Sequence, residues 1–260
     1  MNLSALILAK NEQEMIGDCL SQLDFVDEII VLDQGSSDNT VEIAKKYTQK
    51  ILKTKNDSFA HNRETLSSHA KGEWLLYIDA DERLGEELKR EIEEGIKQNK
   101  YQAFYFPRKN IILGKWLRHG GWSPDYVPKL FNKESLKGWY GQVHESPQVD
   151  GQFGYFKQPL THLTARSLTA MLDKTIKWAK VEADLALKAN HPKVTAPKII
   201  WSAQREFFQR YFIKRGALDG FVGLVEAIYQ ALHKAITLVY LWEMQTKTHE
   251  KFLKEVKKHD

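Results

Sequence analysis

Cysteine is almost absent from this 260-residue chain: Cys19 stands alone. A single thiol excludes an internal disulfide framework and fits a reducing, cytoplasmic compartment. Cys19 itself falls in a helical apolar pattern and is expected to serve as a small buried hydrophobe. Long uncharged apolar runs are also missing. The stretch Phe221 to Trp242 is interrupted by Glu226, His233 and Lys234, short of the roughly 20 apolar residues that a spanning helix needs. The N-terminus, Met1-Asn2-Leu3-Ser4-Ala5-Leu6-Ile7-Leu8, has no basic lead and too short an apolar stretch for a signal peptide. It reads as a first strand. The chain is therefore expected to be soluble or to lie on a membrane surface. The surplus of basic over acidic residues is small, a net +4, and no recognition motif for nucleic acid appears, so nucleic acid is not an expected partner. There is no internal repeat and no low-complexity tract.

What is present is a hydrophobic fraction of 42%, enough for a sizeable core. The first hundred residues alternate strand and helix as a parallel sheet requires. Strands are predicted at Leu3–Ala9, Glu28–Leu32, Lys50–Lys53, Trp74–Ile78 and Ala103–Pro107. Helices are predicted near Glu12–Leu23, Thr40–Tyr47, Ala60–Ala70 and Glu86–Asn99. From Arg108 to His162 the texture changes, with Gly114, Trp116, Gly120, Gly121, Trp122, Pro124, Pro128, Trp139 and Tyr140 crowded together. Irregular loops and short strands around a cleft fit that composition. After Arg166 three helices are predicted, Ser167–Ala189, Lys198–Lys214 and Asp219–Gln245, broken by Pro192, Pro197 and Gly216. The expected division is residues 1–165 as the catalytic domain and 166–260 as a helical extension.

The most informative segment is Trp74-Leu75-Leu76-Tyr77-Ile78-Asp79-Ala80-Asp81-Glu82. An apolar run ends in two aspartates at i, i+2, which the strand period of two places on one side of the backbone. Two carboxylates there suit Mg²⁺ or Mn²⁺, which keep waters and accept substrate phosphates as further ligands. A polar turn followed by a helix cap explains Asp-x-Asp equally well when it is taken alone. The first strand ends in Ala9-Lys10-Asn11-Glu12, where Asn11 with Glu14 fits a capping box. The second ends in Asp33-Gln34-Gly35-Ser36-Ser37-Asp38-Asn39-Thr40, a glycine turn before a helix. Ligands of such sheets bind outside the carboxyl ends of the strands, and three strands converge polar groups on that one edge.

With these motifs on the page, the chain resembles the family 2 glycosyltransferases of GT-A fold. The likeness rests on Ala9-x-Asn11-Glu12, Asp33-x-Gly35-Ser36-x-Asp38-x-Thr40, Arg63 within Ala60-His61-Asn62-Arg63, and Asp79-x-Asp81. The segments His119-Gly120-Gly121-Trp122-x-Pro124-Asp125, Val143-His144-Glu145 and Gly216-x-x-Asp219-Gly220 resemble the bacterial branch that builds lipopolysaccharide core and related surface glycans. The resemblance implies an α/β fold with a mostly parallel central sheet flanked by helices, plus the helical extension. It implies a nucleotide-sugar site of Ala9, Asn11, Glu12, Asp33, Arg63, Asp79 and Ala80 for a UDP-sugar donor. Asp81, more than Asp79, would coordinate the Mn²⁺ or Mg²⁺ that bridges the diphosphate, with His144 as a further candidate ligand. His119 and Trp122 would face a glycan or glycolipid acceptor.

Inverting transfer needs a carboxylate to take the acceptor hydroxyl's proton. Glu145 leads, Asp125 is second and Asp150 third. His162 is weighed for a role without being assigned one. Trp116, Trp122 and Trp139 fit either sugar stacking or ordinary packing. In the final helices Lys198, Arg205, Arg210, Lys214 and Arg215 alternate with large aromatics. That pattern suits anionic lipid on the inner face of the cytoplasmic membrane, and it also suits a packed bundle or an oligomer contact. The function implied is an inverting, metal-dependent hexosyltransferase acting on a lipid-linked acceptor. The rival is a degenerate relative that only binds nucleotide-sugar or scaffolds an assembly. Sugar nucleotidyltransferases are disfavoured, because no glycine-rich phosphate loop follows Ala9.

Overall fold

The structure is a computed structural model that describes residues 2–56, 58–140 and 146–256, with side chains as far as residue 247. The chain divides into two compact units, one of Met1–Asn110 with Pro124–Thr164, the other of Ile111–Ser123 with Ala165–Asp260. In chain order the elements begin β1 (Leu3–Ala9), α1 (Ile16–Ser21), β2 (Glu28–Asp33), α2 (Thr40–Ala44), β3 (Ile51–Lys53) and α3 (Phe59–His69). They continue with β4 (Trp74–Asp79), β5 (Glu82–Arg83), α4 (Glu86–Gln98), β6 (Ala103–Ile112), β7 (Lys115–Trp116) and β8 (Tyr126–Asn132). Next come β9 (Leu136–Tyr140), β10 (Ser146–Val149), β11 (Phe153–Tyr155), β12 (Leu160–Ala165), α5 (Leu168–Lys188), α6 (Ala196–Phe208) and α7 (Gly220–Val256).

In the first unit the sheet runs β3-β2-β1-β4-β8-β6-β12-β5. Its β3-β2-β1-β4 half is parallel, while β8 lies antiparallel to both β4 and β6. Strand β1 is central and buried on both faces, so it reads as a continuous apolar run. Its alternate residues serve two cores. Leu3, Ala5 and Ile7 pack with Ile16, Cys19 and Leu88, whereas Leu6 packs with Ile30, Leu32 and Leu66 on the opposite face. Cys19 is buried as expected, and burial pushes its thiol up to about 12. Helix α3 is capped by Ser58, whose side chain accepts from the His61 N–H. Helix α4 ends on Asn99 in the left-handed region at φ 49°.

Helix α1 starts at Ile16, four residues beyond the sequence expectation, and the Asn11–Glu14 capping box does not form. Asn11 instead takes φ 55° and spends its side chain on the neighbouring loop. An asparagine tolerates that conformation where most side chains are strained.

In the second unit α7 packs against α5 and α6. Ile112, Leu117, Ala165 and Met171 form one small core, and Ala183, Val194, Leu238 and Leu241 form another. Residues 111–123 belong to this unit, including β7, so its sequence is discontinuous. The predicted helix Lys198–Lys214 is an α-helix only to Phe208 and widens into a π turn over Gln209–Ile213. The widening coincides with paired rings, Phe207 stacked on Tyr211 at 5.5 Å and Phe208 tilted against Phe212 at 5.0 Å. Over Gly216–Lys247 the mean hydropathy reaches 1.2, so by length and composition alone this stretch could cross a bilayer. Glu226 and Thr237 are nevertheless buried polar residues on it.

Candidate active site

Register brings the strand ends together. Ala9 pairs with Asp33 across β1 and β2, and Leu8 pairs with Asp79 across β1 and β4. Ala9, Asp33, Asp79, Ala80 and Asp81 therefore share one edge of the sheet, joined by the loops that carry Asn11 and Glu12. Those loops are stitched to each other. Ser36 Oγ accepts from the Asn11 N–H at 2.9 Å, and Asn11 Oδ1 accepts from the Ser37 N–H at 2.8 Å. Thr40 Oγ1 accepts from the Glu12 N–H at 2.8 Å, and Asp38 accepts from the Gln13 N–H at 3.1 Å. Buried Asp33 accepts from the Ser36 N–H at 3.0 Å. Much of the Asp33-to-Thr40 motif is thus a frame that ties the two loops together at the strand edge.

Arg63, on α3, stacks over the Trp139 ring at 4.6 Å and the Tyr77 ring at 5.5 Å. Its Nε is buried and finds no acceptor among the described residues, leaving a donor for a ligand oxygen. Trp139 also packs edge-on against Tyr77 at 5.2 Å and Phe131 at 5.5 Å.

The two aspartates differ in their surroundings. Lys129 Nζ donates to Asp79 Oδ2 at 2.6 Å and to Glu82 Oε2 at 2.7 Å, and Glu82 Oε2 also accepts from the Asp79 N–H at 2.9 Å. Burial pulls Asp79 toward protonation, yet the Lys129 and Arg63 charges hold its carboxyl below the usual carboxylate range. The Asp79 side chain is 42% exposed, which favours the Lys129 contact over burial as the deciding influence. Glu82 is fully buried, and burial together with the Asp79 charge pushes its carboxyl up despite Lys129. Burial draws the Lys129 ammonium down, but the two carboxylates raise it and keep it charged. Glu82 and Lys129 escaped the sequence reading. The signal available was a lysine at an inward position of an apolar strand, Tyr126–Asn132.

Asp81 meets a different partner. Strand β12 pairs antiparallel with β5, setting His162 opposite Glu82, and the Leu163 N–H donates to the Asp81 carbonyl at 2.9 Å. His162 Nε2 then lies 3.5 Å from Asp81 Oδ2. On the other side of the ring, Nδ1 is 2.7 Å from Asn110 Oδ1. Asn110 Nδ2 donates to Asp125 Oδ2 at 2.8 Å, and Arg108 Nε donates to the same oxygen at 2.8 Å. Among the described residues no three His, Cys, Asp or Glu side chains gather as a metal cage. Two protein ligands still fit Mg²⁺ or Mn²⁺, which retain waters and take substrate phosphates. Asp81 and His162 present a suitable oxygen and nitrogen.

His144 and Glu145 lie outside the described residues. His119 and Trp122 belong to the second unit, where both have partners. His119 Nδ1 lies 3.0 Å from Asp219 Oδ1, and Trp122 Nε1 donates to Glu226 Oε1 at 3.2 Å. Arg118 stacks over Trp116 at 4.0 Å.

The profile described as "Glycosyl transferase family 2" matches residues 4–162, the stretch that builds this edge. The chain belongs to glycosyl transferase family 2. It is an enzyme of the glycosyltransferase class, built on a mixed α/β sheet with flanking helices. An "Uncharacterized glycosyltransferase" of Rickettsia felis is 27% identical over 268 residues, covering 95% of this chain and 91% of that protein. "Lipopolysaccharide core biosynthesis glycosyltransferase LpsC" of Rhizobium meliloti is 24% identical over 255 residues, covering 93% and 92%. Among solved structures, S. aureus TarS 1-349 in complex with UDP covers 95% of this chain and 92% of its own, at 14% identity and a TM-score of 0.48. At that TM-score no assignment follows from the likeness.

Proposed function

We propose that this family 2 glycosyltransferase moves a hexose from a UDP-sugar to a lipopolysaccharide-core or other lipid-linked glycan, with inversion at the anomeric carbon. The observation that carries the reading is Asp81 Oδ2 facing His162 Nε2 at 3.5 Å on the strand edge that also holds Asp33 and Asp79. Asn11, Glu12 and Asp33 bind the nucleoside, and Arg63 donates to the diphosphate. Asp79, fixed by Lys129, accepts from hydroxyls of the sugar or ribose. Asp81 and His162 hold the divalent cation, which when bound acts as a Lewis acid toward the departing nucleotide. Glu145 takes the acceptor proton. Asp125 is the weaker candidate because its Oδ2 already receives Arg108 and Asn110. The acceptor class rests on the LpsC-like relative, whose name is its own.

The second unit supports a peripheral membrane contact at the inner face of the cytoplasmic membrane. Ile200 and Trp201 are each 59% exposed, Leu218 67% and Phe221 77%, with Phe208, Phe212 and Ile213 also exposed. Arg205, Lys214 and Arg215 lie among them. The two acids of this stretch are spent internally, Glu206 on Arg210 at 2.6 Å and Asp219 on His119.

The deciding experiment is donor hydrolysis and UDP binding with and without Mn²⁺, in the native chain and in Asp81→Ala. Asp81→Ala should keep the fold and lose metal-dependent UDP binding. If it binds UDP with an unchanged dependence on Mn²⁺, the metal assignment is wrong. A chain that binds UDP-sugar without ever hydrolysing or transferring it would be a binding protein instead.

A further inference from the structure

Asn110 is fully buried on β6, between the side chains of Asp125 and His162, which come from other strands or loops of the sequence. Its own chemistry fixes which way it faces. The Asp125 carboxylate can only accept, so the Asn110 amide nitrogen must point to it, as the 2.8 Å contact to Oδ2 shows. Arg108 holds that same carboxylate oxygen at 2.8 Å and keeps it from turning away. The Asn110 carbonyl oxygen is then left facing His162 Nδ1 at 2.7 Å. An amide oxygen accepts and never donates, so the proton must sit on Nδ1. In the neutral ring Nε2 therefore carries the lone pair, and it is Nε2 that looks toward Asp81.

We propose that Asn110 is a positioning residue: oriented by Asp125 and Arg108, it locks His162 in the Nδ1–H tautomer so that the Nε2 lone pair faces the gap beside Asp81. The inference rests on the reading that Asp81 and His162 share a divalent cation, and it adds how the ring is made ready before the cation arrives. Two ligand atoms, each about 2.1 Å from one cation, sit roughly 3.0–3.5 Å apart. The observed 3.5 Å meets that spacing and is long for a direct hydrogen bond. Asparagine suits the task because it donates on one side and accepts on the other. Asp125 thereby acts through two intervening groups and needs no contact with the substrate.

The test begins on the metal-free native chain, ¹⁵N-labelled at histidine, with His162 assigned by its loss in His162→Gln. Two-bond ¹H–¹⁵N correlation at about pH 8, above the ordinary histidine range, reports which ring nitrogen is protonated. The native chain should show Nδ1–H for His162, and an Nε2–H spectrum would overturn the proposal without any variant. Asn110→Leu keeps the branched shape and removes the side-chain hydrogen bonds to Asp125 and His162. It should shift His162 toward Nε2–H and weaken Mn²⁺ binding, read by the electron paramagnetic resonance of free Mn²⁺, by about 10–100-fold. The double swap N110D/D125N restores an acceptor toward His162 and a donor from position 125, and should recover both signals. Unchanged tautomer and affinity in Asn110→Leu, or failure of the swap to recover either, would count against the proposal. The underlying metal reading fails separately. If His162→Ala binds Mn²⁺ as the native chain does while Asn110→Leu still changes the tautomer, His162 is positioned by Asn110 but is not a ligand.

Discussion

At the scale of single residues, the two aspartates of Asp79-x-Asp81 have been given different work by their neighbours. Lys129 bonds to both Asp79 and Glu82 from inside the sheet, while Asp81 Oδ2 faces His162. Lys129→Met should leave Glu82 buried without its cation. Removing one partner of a buried pair costs about 3–5 kcal/mol, so denaturant unfolding should show a loss of that order. Asp81→Ala, by contrast, should unfold close to the native midpoint. A Lys129→Met variant as stable as the native chain would mean that Glu82 is accommodated as a neutral acid. Glu145→Gln makes the complementary prediction about chemistry. It should retain UDP-sugar binding and lose transfer by a factor on the order of 10²–10⁴, the usual range for a missing general base. Near-normal turnover there would rule out Glu145 as the base.

At the scale of elements, the strand ends were legible and the crossings between strands were not. An apolar run that stops abruptly at Asp33 or Asp79 announces its own boundary, because burial of the run leaves the charge nowhere to go but the edge. The same logic fails for His162, Asn110 and Lys129. Each sits inside a strand of the glycine- and aromatic-rich segment, and what it touches is set by pairings such as β12 with β5 that no local period encodes. The start of α1 was misplaced for a related reason: Asn11 cross-links two loops in preference to capping its own helix. The entry to α7 depends on a close approach that sequence alone could not reveal. A Cβ added at Gly223 would lie 2.0 Å from the Gly216 carbonyl oxygen and 3.0 Å from Asp219 Cβ. Gly223→Ala should therefore push the short 3₁₀ turn, Gly216–Asp219, away from α7. Overpacking of this kind costs about 1–3 kcal/mol, read as a lower melting temperature. Because Asp219 anchors His119 in the same unit, the His119 ring signals should move as well. An unshifted melting temperature would show that the turn has room to yield.

At the scale of the whole molecule, the basic residues between the end of α6 and the start of α7 divide into two groups that the sequence could not separate. Arg210 donates to Glu206 at 2.6 Å and to the Gly120 carbonyl at 3.0 Å, so it serves the fold. Arg205, Lys214 and Arg215 are exposed amid exposed apolar side chains, as an interfacial surface requires. Arg205 also lies over the Trp201 ring at 5.4 Å, pairing a cation with a ring suited to the headgroup layer. Each basic residue near an anionic surface contributes about 1 kcal/mol, so three of them would change a partition coefficient by roughly two orders of magnitude. The native chain should bind liposomes of phosphatidylglycerol and phosphatidylcholine in low salt and release as salt rises. Replacing Arg205, Lys214 and Arg215 with Gln should weaken that binding and leave turnover on a soluble acceptor unchanged. Arg210→Gln alone should lower the melting temperature instead, by freeing Glu206 and the Gly120 loop. Replacing Phe212 and Phe221 with Ser should weaken binding at all salt concentrations, because insertion of apolar rings is not screened. If the triple Gln variant and the native chain bind such liposomes equally, the exposed cations serve the fold or a protein partner and not a membrane.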